Sequence, residues 1–297
     1  MKTIGIFGIG AIGSVLAKYL TKNTINEYLF FNRTNYESIS IEYQQEVTKI
    51  PITISTNLDN GLDWLIVCLK EHQVKGAKEE IKRLLSERTK LAIFQNGIDL
   101  SKPYINLING NQILETAIDC SVERINNSNY RQLKEPIITL LNSTLANEFI
   151  SLFGTDEIVF NLTEEFKKDQ WVKLIESSSI GSIQSYTEKP CSIFDDSKYL
   201  SDFTLLVEEG IRVAQSEKIE LDSNIQEKLS KKLMNYPKTK GSSMLTDKLS
   251  GNVLELDAKI GAIVKISRNN NIEVPISERY YKSLLNYNKE KTQSIKK

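Results

Sequence analysis

The chain has 297 residues, 40% of them hydrophobic, and its 38 basic residues are matched by 38 acidic ones. That apolar content can fill one large or two medium cores, which excludes a disordered chain, and the charge balance lacks the basic footprint of a nucleic-acid or membrane-surface binder. Three separated cysteines, Cys68, Cys120 and Cys191, and one histidine, His72, exclude a disulfide framework and argue against a zinc site.

The first apolar run, residues 4–7, reads as a buried strand that turns through Gly8-Ile9-Gly10-Ala11-Ile12-Gly13 into a helix. This is the GxGxxG spacing of a dinucleotide-binding corner. Gly8 permits the tight turn, Gly10 lets a pyrophosphate approach the backbone, and Gly13 lets the helix pack on the strand. Ala11 and Ile12 complete the loop, where the free N–H groups and dipole of the helix N-terminus favour negative charge. The start superficially resembles a secretory signal, but Gly5, Gly8, Gly10 and Gly13 interrupt the run and Lys18 closes it. No stretch has the length of apolar sequence a membrane span needs, so the chain is expected to be soluble and cytoplasmic.

Residues 27–33 read as a second strand, ending in Asn32 and Arg33. An NAD site usually carries Asp or Glu at this point, ~20 residues beyond the glycines, to hold the ribose hydroxyls. An asparagine followed by a cation instead points to the 2′-phosphate of NADP(H). A third strand, 62–69, leads into Lys70, which either reaches a phosphate or ribose at the sheet's carboxyl edge or simply ends the strand. His72 reads as a surface residue or one standing behind the site, and Cys68 as core. After a charged helix at 78–87, the strand at 90–98 carries Asn96 into the same crevice; Asn-Gly is equally a turn dipeptide. Short strands at 113–118, 136–141 and 157–160, a turn at 126–129 and a helix at 145–153 are expected to complete one mostly parallel, doubly wound sheet.

Beyond Thr163 the apolar period becomes helical, over 164–186, 199–217, 223–236, 254–269 and 276–288, with a turn at 241–247 and a frayed tail from 288 onward. The expected fold class is α/β: an N-terminal doubly wound sheet over 1–165, followed by an all-helical unit over 166–297. Within the helices, periodicity alone leaves Lys173 and Glu255 as snorkelling or solvated charges.

Six landmarks together resemble the ketopantoate reductase family, the 2-dehydropantoate 2-reductases, nearly end to end. They are the GxGxxG corner, Val67-Cys68-Leu69-Lys70, Gln95-Asn96-Gly97, Trp171-x-Lys173-Leu174, Ser242-Ser243-Met244-x-x-Asp247, and Glu255-x-Asp257-x-x-x-Gly261. The resemblance implies a Rossmann-type NADP(H)-binding domain and a helical substrate and catalytic domain. It makes Lys173 the catalytic lysine, Glu255 a substrate-binding carboxylate that supports catalysis, and Ser243 a ligand for the substrate carboxylate. Asn96 joins both substrate and cofactor sites, and Asn32, Arg33 and Lys70 contact the cofactor.

The implied reaction is NADPH-dependent reduction of 2-dehydropantoate to (R)-pantoate, for pantothenate and coenzyme A synthesis. Hydride arriving at the 2-keto carbon puts negative charge on the oxygen, which a protonated lysine can stabilise and protonate. The sequence departs from the family where asparagines usually stand one and two turns after the catalytic lysine: here are Ser177, still able to bind substrate through its hydroxyl, and Gly181. Gln184 and Ser178 are the candidates for compensating. A reductase of another branched 2-oxo acid, or a non-catalytic NADP(H)-sensing protein, are the alternatives. The implied partner is a small 2-oxo acid, with no nucleic acid or membrane, and the oligomeric state is open, a homodimer included.

Overall fold

A computed structural model describes every residue except Arg33, Asn35, 53–60 and 296–297, and for 294–295 the backbone alone. Arg33, the cation expected at a 2′-phosphate, therefore lies outside the described residues. Two compact units emerge: Met1–Gln95 with Asp99–Phe166, and Asn96–Ile98 with Lys167–Lys297.

The first unit runs β1 (Thr3–Phe7), α1 (Ala11–Leu20), β2 (Glu27–Phe31), β3 (Ser38–Tyr43), β4 (Glu46–Pro51), β5 (Trp64–Val67), α2 (Glu71–Leu84), β6 (Lys90–Ile93), β7 (Ile113–Glu115), β8 (Ala117–Asp119), β9 (Val122–Arg124), β10 (Asn129–Gln132), β11 (Ile137–Leu141), α3 (Thr144–Ile150) and β12 (Val159–Thr163). Its main sheet has the order β2-β1-β5-β6-β7 and is parallel throughout. A parallel sheet must be covered on both faces, so its strands read as unbroken apolar runs. On β5, Trp64 and Ile66 pack toward the cluster holding Val15, Leu16 and Leu20 of α1, while Leu65 and Val67 join Val74, Ile81 and Leu84 of α2. The period of two thus divides one apolar run between two cores.

The expectation of a single sheet is corrected. The strands outside this set form two smaller sheets, β4-β3-β10-β9 and β12-β11-β8. The apolar run at 113–118 breaks at buried Thr116, whose Oγ1 donates to the Ile93 carbonyl at 2.8 Å. β7 before the break extends the parallel sheet, and β8 after it pairs antiparallel with β11. The helix expected at 78–87 begins earlier, at Glu71, directly after Lys70.

The second unit contains α4 (Phe166–Thr187) from Lys167 onward, α5 (Ser197–Ser216), α6 (Ile225–Met234), α7 (Ser243–Leu249), α8 (Ile260–Asn269) and α9 (Pro275–Ile295). The turn expected at 241–247 holds a short helix, because Ser242 Oγ accepts the Leu245 N–H at 3.2 Å and supplies an N-cap. The tail is helical rather than frayed, since α9 continues to Ile295. Buried Glu209 of α5 anchors the other end of α9, accepting the N–H groups of Ile276 and Ser277 at 2.9 and 2.7 Å. A carboxylate at a helix N-terminus satisfies orphan donors and complements the dipole, and Pro275 fits the first helical position.

Residues 254–259 are not helical as expected. The Asn288 side chain takes both backbone groups of Leu254: Leu254 N–H donates to Asn288 Oδ1, and Asn288 Nδ2 donates to the Leu254 carbonyl, each at 2.9 Å. α8 therefore starts only at Ile260. No helix among the described residues is long and apolar enough to cross a membrane.

Candidate active site

In the main sheet, the chain leaves β1 through α1 to one neighbour, β2, and later returns on the other side as β5. This is a topological switch point, where the carboxyl ends of adjacent strands leave a crevice for ligands. Both strand ends there carry candidate residues: Gly8-Ile9-Gly10 follows β1, and Cys68-Leu69-Lys70 follows β5. Gly8 has φ +94°, a region L side chains rarely adopt, and a Cβ there would come within 3.0 Å of the Cys68 carbonyl. A Cβ on Gly13 would lie 2.1 Å from the Gly8 carbonyl oxygen, so the helix start can sit on the loop only without a side chain.

Gly10 caps α1 with no side-chain hydrogen bond, and a Cβ on it would meet nothing within 4 Å. The first turn of α1, with Ala11 and Ile12, contains no acidic residue. An open approach to an uncapped helix N-terminus without negative charge fits a pyrophosphate. Beside it, the backbone of Lys70 is fixed by Gln73: the Lys70 N–H donates to Gln73 Oε1 at 3.0 Å and the Gln73 N–H to the Lys70 carbonyl at 2.9 Å. β2 ends at Phe31, and Asn32 Nδ2 donates to the Thr34 carbonyl at 3.1 Å, so this amide is engaged in its own turn.

In the second unit, half-buried Lys173 projects from α4 among buried Trp171, Leu174 and Ile175. Ser177 stands one turn further on, its Oγ donating weakly to the Leu174 carbonyl at 3.4 Å. At Gly181, another turn on, a Cβ would lie 3.1 Å from Met244 Sδ of α7. A thioether thus packs where the family's second asparagine would begin. Of the two candidates for compensating, Ser178 has its Oγ buried without a hydrogen-bond partner. Gln184 spends its amide on the loop ahead of α7, donating to the Lys240 carbonyl at 3.0 Å and accepting the Ser242 N–H at 2.7 Å.

Asn96 and Glu255 meet, with Asn96 Nδ2 donating to Glu255 Oε2 at 3.0 Å. Glu255 is 6% exposed, so its carboxylate needs such a partner, and Asn288 fixes the backbone immediately before it. Ser243, the first residue of α7, accepts a hydrogen bond at Oγ from Lys259 Nζ at 3.0 Å. The unit therefore holds a lysine, an amide-supported carboxylate and a lysine-supported hydroxyl: groups that can bind a carboxylate, accept from a hydroxyl and donate a proton. Three of the supporting groups, Gln184, Lys259 and Asn288, carry no motif that would reveal their parts. Burial raises the Cys68 and Cys191 thiols above their ordinary range and pushes Cys120 up to about 12.

A glycine corner at the switch point of a parallel sheet, continued by an all-helical unit, defines the class of fold: a Rossmann-type α/β unit of the dinucleotide-binding kind followed by a helical one. The family model described as ketopantoate reductase PanE/ApbA matches residues 4–142, and that of its C-terminal region matches 165–288. The chain belongs to the ketopantoate reductase family, a family of NAD(P)-dependent oxidoreductases. It is 23% identical over 277 residues to the 2-dehydropantoate 2-reductase of Caulobacter vibrioides, covering 93% of this chain and 95% of the relative. Among solved structures, the dimeric ketopantoate reductase of Staphylococcus aureus superposes with a TM-score of 0.87 at 21% identity, over 97% of this chain and 99% of that one. D-mandelate dehydrogenase in ternary complex with NADH and anilino(oxo)acetate gives 0.87 at 16% identity, over 98% and 99%.

Proposed function

We infer that this protein is an NADPH-dependent 2-oxo acid reductase acting on 2-dehydropantoate to give (R)-pantoate, a step of pantothenate and coenzyme A synthesis. Residues 1–165 bind the dinucleotide through Gly8, Gly10, Ala11, Ile12 and Gly13, with Asn32, Arg33 and Lys70 toward its ribose and phosphates and Asn96 also serving the cofactor. Residues 166–297 provide most of the substrate and catalytic groups, and the protein works in the cytoplasm. The observation that carries this reading is the pairing of Asn96 with buried Glu255, 159 residues apart, in one unit with Lys173 and Ser243.

When bound, the cofactor supplies a hydride to the 2-keto carbon. Lys173 stabilises the negative charge that gathers on the keto oxygen and gives it a proton. Ser243 donates to the substrate carboxylate. Glu255, held by Asn96, accepts from the substrate hydroxyl, and Ser177 offers a further hydroxyl.

A second reading is favoured by Gly181 and Met244. With buried Met244 filling the space beside Gly181, the hydrogen-bonding capacity of an amide is missing there, which suits a 2-oxo acid with a branched, wholly apolar side chain. One assay decides: purified protein, NADPH and a panel comprising 2-dehydropantoate, 3-methyl-2-oxobutanoate and phenylglyoxylate, following cofactor oxidation. The highest kcat/KM is expected for 2-dehydropantoate. Preference for an apolar acid would replace the first reading by the second, and no turnover of any acid would dismiss both in favour of a non-catalytic role.

A further inference from the structure

Lys259 stands outside the residues of the reaction just described, yet it is the donor to one of them. It lies in the turn before α8, 3% exposed, with Nζ 3.0 Å from Ser243 Oγ. A buried lysine bears a desolvation cost that a solvated lysine avoids. A lysine side chain with its ammonium protonated has only hydrogens to give, whereas a hydroxyl has one hydrogen and two lone pairs. In this pair the serine oxygen is therefore the acceptor, which leaves its own hydrogen available for another group.

We propose that Lys259 is a positioning residue for 2-oxo acid recognition: by donating to Ser243 Oγ it turns that hydroxyl into an oriented donor for the substrate carboxylate and places a cation behind it. The proposal rests on Ser243 being the carboxylate ligand. A hydroxyl that accepts from a cationic donor gives a stronger hydrogen bond in turn, and a charge-assisted bond to a carboxylate is about twice as strong as a neutral one. Lys259 is held by the turn itself, where the Lys259 N–H donates to the Leu256 carbonyl at 3.3 Å. Two residues distant in sequence and carried by different segments thus form one recognition element.

The test compares wild type, Lys259→Met, Lys259→Gln, Ser243→Ala and Lys259→Met/Ser243→Ala. Two quantities are measured: steady-state KM and kcat with 2-dehydropantoate and NADPH, and calorimetric affinity for 2-dehydropantoate in the presence of NADP+. Lys259→Met is expected to raise KM and weaken calorimetric binding about tenfold, the loss of one hydrogen bond involving a charged group, with kcat and the NADPH KM within about twofold. Lys259→Gln keeps a donor and should recover at least half of the loss on a logarithmic scale, which also covers the case that Lys259→Met fails to fold. In the double variant Lys259→Met should add less than about twofold to Ser243→Ala, because the two act as a unit. Unchanged KM and affinity in a folded Lys259 variant, an effect on kcat alone, or effects that multiply in the double variant would overturn the proposal. If wild type bound the acid without reducing it, the reductase reading would fall, while the calorimetric comparison would still judge the Lys259–Ser243 pair.

Discussion

Lys173 and Lys259 are two lysines of one unit with different expected signatures. Lys173 is half-buried on the helix face that carries Ser177, while Lys259 is buried and donates to a serine. If Lys173 gives the proton, removing it strikes the transition state: Lys173→Ala should lower kcat by about 10²-fold or more with little change in substrate KM. Near-normal turnover in that variant would exclude it as the acid. Residues such as Lys173, Ser243 and Glu255 could be singled out from short motifs, because each lies within a few positions of its landmarks. The supporting parts of Asn288 and Gln184 could not be, since their contacts are distant in sequence: Asn288 to Leu254 spans 34 residues and Gln184 to Ser242 spans 58. A polar side chain whose partner is that far away has no spacing to betray it, and a helical period sees it only as an interruption.

At the level of elements, the glycine corner and the parallel strands were legible because local sequence decides them: unbroken apolar runs of four or five residues, each closed by a polar turn. The hairpin of β3 and β4 was not, although Ile39 and Ile41 alternate with serines and are fully buried. Its turn is the reason. Gln44 and Gln45 both have positive φ, 51° and 70°, the pattern of a tight hairpin turn that usually advertises itself as Asn-Gly. Two glutamines in the left-handed region carry strain of about 1 kcal/mol or more each, so neither residue signals the turn it makes. Both are exposed, and replacing them disturbs no packing. Gln44→Asn with Gln45→Gly is therefore expected to stabilise the protein by about 1 kcal/mol, read as a higher midpoint in denaturant unfolding with unchanged slope. A lower midpoint would mean that the turn does not hold this backbone. The boundary at 254–259 was misread for a related reason: Asn288 captures the Leu254 backbone and keeps it out of a helix that the apolar period alone would extend.

For the whole molecule, cofactor choice and stability are linked, because a ligand that binds only the folded protein stabilises it by mass action. The second strand ends without a carboxylate, in Phe31 and Asn32, and Arg33 follows. A missing carboxylate removes the usual partner of the ribose 2′-hydroxyl and also the repulsion a 2′-phosphate would meet, and an arginine can then form charge-assisted bonds to it. At about 100 times its dissociation constant a ligand contributes about 2.7 kcal/mol, which for domains of 150–250 residues corresponds to roughly 5–10 °C in melting temperature. NADPH should therefore raise the melting transition of the dinucleotide-binding unit by several degrees at concentrations where NADH raises it less. Arg33→Ala should remove most of the NADPH shift and leave the NADH shift within about a degree, since only one of the two cofactors carries the phosphate. Thermal scans with each cofactor at matched concentrations make the comparison, and because they need no turnover, the outcome does not depend on which 2-oxo acid is reduced. Equal losses for both cofactors would contradict the assignment of Arg33 to the 2′-phosphate.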